Sequence, residues 1–136
     1  MADTLLLQLV SPERLLAEEQ VTEAQIPALD GYIGVLPGGA PLLSELKPGG
    51  VLTYRTGGQE KVVAVYGGFV EVLGDRVRVL ADGAEYSHEI DLPTAQQKLE
   101  QVRKVNESGR GEAVDPAVAL DEMMRAQARV EAAAKK

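Results

Sequence analysis

Apolar and polar residues alternate in short runs through the first part of the chain and recur at helical spacing in the last part. Leu5-Leu6-Leu7-Gln8-Leu9-Val10 forms one β-type run that stops at Ser11-Pro12, and Val21 to Ile26 forms another that stops at Pro27. Val51 to Arg55 and Lys61 to Tyr66 flank Thr56-Gly57-Gly58-Gln59, a two-glycine hairpin signal. Phe69 to Leu73 and Arg76 to Leu80 flank Gly74-Asp75, where glycine at the first central position predicts a type II′ turn. Glu71 set against Arg76 or Arg78 supplies opposite charges on neighbouring strands, about 0.2–1 kcal/mol for a directly opposed pair. Short strands at this spacing predict an antiparallel sandwich or barrel.

The period changes near residue 86. Asp91 is the expected N-cap of a helix that tolerates Pro93 in its first turn. Leu92, Ala95, Leu99 and Val102 then fall on one helical face, and Asn106-Glu107-Ser108-Gly109-Arg110-Gly111 is expected to end the helix and form a loop. Asp115-Pro116 opens a second, alanine-rich helix as N-cap and first residue, with Asp121 and Glu122 early in it and Lys135-Lys136 at its end. Neither helix carries an aromatic residue, so the pair is marginal in isolation. It is expected to dock on the β region, on a partner, or on each in turn.

The chain has 136 residues, no Cys or Trp, and a formal net charge of -7. Residues 1–85 hold 6 Lys/Arg against 12 Asp/Glu, and residues 86–136 hold 8 against 9. An acidic front half argues against nucleic acid as the main partner and against direct contact with an anionic membrane. The start, Met1-Ala2-Asp3-Thr4, has no basic region ahead of an apolar stretch, and Leu5 to Val10 is too short to span a membrane. A soluble, cytoplasmic protein without direct membrane insertion is expected.

The sequence contains no phosphate loop, dinucleotide-binding or nucleophile-elbow motif, so no catalytic residue is expected. The lone His88 cannot build a multi-histidine metal site and is expected to be solvated. No metal site is expected. Glu18 and Glu19 are adjacent in extended chain and point to opposite faces, which makes them poor acid–base partners. Asp121-Glu122 reads as a helix N-terminal charge pair.

The stretch Gly31-Tyr32-Ile33-Gly34-Val35-Leu36-Pro37-Gly38-Gly39-Ala40-Pro41-Leu42-Leu43 alternates glycine turns with a short apolar run. It resembles the G-x-x-G-x-L-P-G-H-A-P-L signature of the epsilon-subunit family of F-type ATP synthases, with Gly39 in place of the usual His. Val65-Tyr66-Gly67-Gly68-Phe69-Val70-Glu71-Val72 resembles the family's V-x-G-G-F-x-E-V. Val77-Arg78-Val79-Leu80-Ala81-Asp82, Val10-Ser11-Pro12-Glu13 and Leu46-Lys47-Pro48-Gly49-Gly50 fit in order.

The resemblance implies a mostly β plus α chain: an N-terminal antiparallel β-sandwich over residues 1–86 and a C-terminal two-helix hairpin over residues 87–136. It implies a non-catalytic rotor subunit of the central stalk, an accessory part of a proton-transporting enzyme, coupling proton flow to ATP synthesis. The implied partners of the sandwich are the gamma subunit and the c-subunit ring. The hairpin is implied to be regulatory, extending toward the alpha and beta catalytic subunits and inhibiting ATP hydrolysis; Arg103, Lys104, Arg125 and Arg129 are the candidate contacts. The implied location is peripheral, on the cytoplasmic face of a bacterial plasma membrane.

Some relatives bind ATP at the hairpin through an I/L-D-x-x-R-A motif with arginines of the last helix. The matching residues are Glu85, Ile90, Asp91, Arg125 and Arg129, but Thr94 stands where the motif has arginine. A lost charge-assisted donor costs roughly 1.5–3 kcal/mol, so no cofactor is expected. The alternative reading is a stand-alone β-sandwich binding module with a helical dimerisation tail.

Overall fold

The computed structural model describes residues 3–108 and 115–135. Among them, ten strands come first: β1 (Leu5–Val10), β2 (Leu15–Val21), β3 (Glu23–Ala28), β4 (Gly31–Val35), β5 (Leu42–Glu45), β6 (Gly50–Thr56), β7 (Gln59–Val65), β8 (Gly68–Leu73), β9 (Arg76–Ala81) and β10 (Ala84–Tyr86). A 3-10 turn, Ser87–Glu89, leads into α1 (Leu92–Ser108) and α2 (Pro116–Ala134). The strands form two five-stranded sheets, ordered β2-β1-β9-β8-β5 and β10-β7-β6-β3-β4. This is the expected sandwich followed by a helical hairpin. Pairing is antiparallel except between β1 and β9, which run parallel.

Period-two alternation builds the core between the sheets. In β1, Leu5, Leu7 and Leu9 point inward and are buried, while Leu6, Gln8 and Val10 line the other face. Val70, Val72, Val77 and Val79 meet Leu52, Tyr54, Val63 and Val65 across the interior. The β6–β7 hairpin turns on Gly57 and Gly58 with φ of 56° and 80°, both in the left-handed region, as a type I′ turn requires. The β8–β9 turn departs from expectation. Gly74 has no left-handed φ, so the turn is not type II′; its carbonyl is instead aimed at the Gly38 amide, 2.8 Å away.

Strand limits also depart from the sequence reading. The run from Val21 to Ile26 is split at Thr22 between the end of β2 and the start of β3. β3 continues through Pro27 to Ala28, because its ladder with β6 stops at Gln25 and no Pro27 donor is needed on that side. The α1 helix runs on through Asn106, Glu107 and Ser108, which were expected to leave it; Gly109 to Gly111 and Lys136 lie outside the described residues.

Asp91 caps α1, accepting from the Thr94 amide at 3.2 Å and from the Thr94 hydroxyl. Asp115 caps α2, accepting from the Ala117 amide at 2.8 Å with Pro116 at the first position. The hairpin lies on the outer face of β6 and β7. There Val51, Val62 and Ala64 build a second core with Ile90, Ala95, Ala132 and Ala133, flanked by Tyr66, Leu92 and Val130. This explains the unbroken apolar run Val62-Val63-Ala64-Val65: β7 is buried on both faces. Among the described residues, no helix is long and apolar enough to cross a membrane.

Candidate functional site

Two surfaces stand out. The first is the outer face of the β2-β1-β9-β8-β5 sheet, which no helix covers among the described residues. The pairings Val10 with Leu15, Val10 with Leu80 and Leu80 with Phe69 align these side chains in one cross-strand row. Leu15, Leu80 and Phe69 are 54%, 50% and 52% exposed. Leu43, 71% exposed, sits beside Glu71 in the next row. In that row Glu71 faces Arg78 directly, with 3.8 Å between carboxylate and guanidinium. Arg76 lies opposite Leu73 and pairs with Asp75 instead. A contiguous apolar row rimmed by charge is the usual mark of a protein contact surface.

The second surface is a cleft of about 290 Å³ between the hairpin and the sandwich, lined by Tyr66, Glu85, Lys98, Val102, Glu122, Arg125, Ala126 and Arg129. On its floor Arg129 donates to Glu85 at 3.0 and 3.3 Å, and Tyr66 donates its hydroxyl to the same carboxylate at 2.5 Å. The hydrogen bond to Glu85 raises the Arg129 pKa above its ordinary value. Burial, and then the bond to Glu85, raises that of the Tyr66 hydroxyl.

The sequence candidates separate on this map. Glu85, Arg125 and Arg129 share the cleft. Ile90 is buried in the second core, and Asp91 is the α1 cap that also engages Thr94. Arg103 is exposed and pairs with Glu100 one turn earlier at 3.5 Å, and Lys104 is exposed on the same helix. His88 is exposed, its ring 5.2 Å from that of Tyr86. Glu18 is exposed, whereas Glu19 turns inward and lies 2.9 Å from the Tyr54 hydroxyl. Tyr66 and Lys98 are cleft residues that the sequence reading did not single out. Lys98 lies four positions from Val102, so helical spacing placed both on one face. Among the described residues, no cluster of His, Cys, Asp or Glu could hold a metal.

Residues 4–87 match the model of the ATP synthase delta/epsilon chain, beta-sandwich domain. The chain is 53% identical to an ATP synthase epsilon chain of Solibacter usitatus, over 100% of both chains. It is 44% identical to an ATP synthase epsilon chain of Carboxydothermus hydrogenoformans, over 76% of this chain and 77% of that one. Among solved structures, it is similar to a chain in the cryo-EM structure of the Euglena gracilis mitochondrial ATP synthase. That match has a TM-score of 0.79 and 25% identity, and covers 98% of this chain and 83% of that one. With the matched sandwich, the docked hairpin and a relative that is more than half identical end to end, the chain belongs to the ATP synthase epsilon-chain family.

Proposed function

We propose that this chain couples proton flow to ATP synthesis as a rotor element of the central stalk, binding the gamma subunit and meeting the c-subunit ring through its sandwich, residues 1–86. An epsilon chain is an accessory subunit and does not itself catalyse the reaction of the complex. The observation that carries the rotor reading is the uncovered apolar row Leu15, Val10, Leu80 and Phe69. The opposite sheet has its outer face occupied by the hairpin, whereas among the described residues nothing of the chain covers this one. A stand-alone binding module with a dimerisation tail is not favoured, because the full-length relatives are ATP synthase subunits. The proposed location is peripheral, on the cytoplasmic face of a bacterial plasma membrane.

The hairpin, residues 87–136, is assigned a regulatory role. Its second-core contacts are mostly alanine, so little apolar area holds it down. Released, it would present the exposed cations Arg103, Lys104 and Arg125 to acidic segments of the catalytic beta subunits, with Arg129 freed from Glu85. No nucleotide cofactor is assigned to the cleft. Thr94 is engaged by Asp91 and Arg129 by Glu85, which leaves Lys98 and Arg125 beside Glu122.

Co-purification with the gamma subunit from the same source tests the rotor reading. The full chain should co-elute one-to-one, and a chain with Phe69→Asp and Leu80→Asp should not; binding that survives both changes would refute the assigned face. Complexes carrying a chain that ends at residue 86 should hydrolyse ATP faster, and unchanged hydrolysis would sink the inhibitory role. A calorimetric dissociation constant for ATP in the low micromolar range would refute the absence of a cofactor.

A further inference from the structure

Two adjacent glycines stand where the chain enters β6, beneath α2. A Cβ on Gly50 would meet Pro27 side-chain carbons at 2.5 and 2.9 Å, a contact inside the sandwich. A Cβ on Gly49 would meet α2 itself: the Met124 carbonyl oxygen, the Met124 carbonyl carbon at 2.5 Å and the Arg125 nitrogen at 2.6 Å. All three are main-chain atoms, so no rotamer change relieves the overlap. Gly49 does not adopt a left-handed φ, and its backbone conformation is open to any residue. Gly57 and Gly58 are the reverse case, with positive φ and nothing within 4 Å of an added Cβ. Glycine at 49 therefore serves close approach rather than chain conformation.

We infer that Gly49 is the seat of the hairpin, and that the absence of one side-chain carbon there sets whether α2 can dock. The strand side cannot retreat. Gly49 and Gly50 are buried, the Lys47 amide donates to the Pro27 carbonyl at 2.9 Å, and the Gly67 amide donates to the Lys47 carbonyl at 3.0 Å. The helix side is the weaker partner. Against the sandwich it offers Ala132 and Ala133 with half-buried Val130, supplemented by the Arg129–Glu85 pair. An overlap of this size is resolved where resistance is least, and that is by displacement of α2. The docked position of the hairpin is thus conditional on residue 49. This deepens the regulatory reading above, and only its effect on ATP hydrolysis rests on that reading.

Hydrogen exchange on the full chain, read by mass spectrometry, tests the seat without reference to activity. In Gly49→Ala, amides of α2 should exchange faster by roughly tenfold or more, while the sandwich strands keep their protection. Gly34→Ala is the control, since an added Cβ there has nothing within 4 Å, and it should match the parent chain. Unchanged protection of α2 in Gly49→Ala would overturn the inference. So would an equal loss of protection across the sandwich strands, because the glycine would then serve the whole fold. The same variant assembled into the complex reads the regulatory reading separately. Slower ATP hydrolysis with α2 released supports both, whereas unchanged hydrolysis with α2 released leaves the seat standing and refutes inhibition by the hairpin.

Discussion

Arg14 and Glu89 form a two-armed ion pair, with Nη1 2.9 Å from Oε2 and Nη2 2.6 Å from Oε1, that ties the turn after β1 to the 3-10 turn where the sandwich ends. The Tyr86 amide also donates to this carboxylate, at 2.8 Å. The Arg14 hydrogen bonds, and then the Tyr86 amide, lower the Glu89 pKa from 4.5 to about 2. A carboxyl depressed in the folded state contributes stability that is complete above its unfolded value and lost as pH falls toward the folded one. The melting temperature should therefore fall between pH 4.5 and about 2, and Glu89→Gln should flatten that branch. Equal acid sensitivity of variant and parent would contradict the assignment.

The alkaline branch belongs to two tyrosines. Burial, then the bond to Tyr86, raises the Tyr54 pKa; burial, then the bond to Glu85, raises that of Tyr66. A phenol raised in the folded state gives stability that is complete below its unfolded pKa and lost as pH rises past about 10. Ultraviolet titration of the folded chain should show these two tyrosinates appearing only with unfolding.

Arg129 and Glu85 are each about a third exposed, at 31% and 29% of the side chain. Arg129→Ala leaves the Glu85 carboxylate with Tyr66 as its remaining described donor. The expected loss is about 1–3 kcal/mol by urea unfolding, the scale of a half-buried charged group stripped of a partner. Arg103→Ala, which removes only an exposed pair to Glu100, should stay within about 0.5 kcal/mol of the parent.

On the uncovered sheet face, Phe69→Ala and Leu80→Ala should leave the melt of the isolated chain almost unchanged, since both side chains are half exposed. Affinity for the gamma subunit, measured by calorimetry, should fall by roughly a hundredfold for the pair of changes. A large loss of thermal stability instead would mean that the row serves folding rather than docking.

The strands legible in the sequence are the interior ones. β2, β5, β4 and β10 carry no clear strand pattern in the sequence, and these are the four sheet edges. An edge strand pairs on one side and buries less, so its pattern is weaker. In β2, Glu19 even turns inward, where the Tyr54 hydroxyl satisfies it. β4 holds Gly31 and Gly34, and β5 follows directly on Pro41, so residues that signal turns obscure two short extended segments. Helix starts were legible because Asp91 and Asp115 announce them chemically; the end of α1 was not, since Asn106 to Ser108 are weak breakers that remain helical. In the cleft, family resemblance singled out Glu85 and Arg129 but not Lys98, whose place depends on how α1 lies against α2.

The sheet that β6 and β7 share between two cores has a thermal consequence. If the hairpin leaves, Val51, Val62 and Ala64 meet water together with the alanine face of α2. Exposure of apolar surface carries a positive heat-capacity change, and its free-energy cost shrinks on cooling. The balance between docked and released hairpin therefore has a temperature coefficient of its own, set by one face of one sheet. Cooling loosens the helices while the sandwich beneath, with a far larger interior, holds its shape.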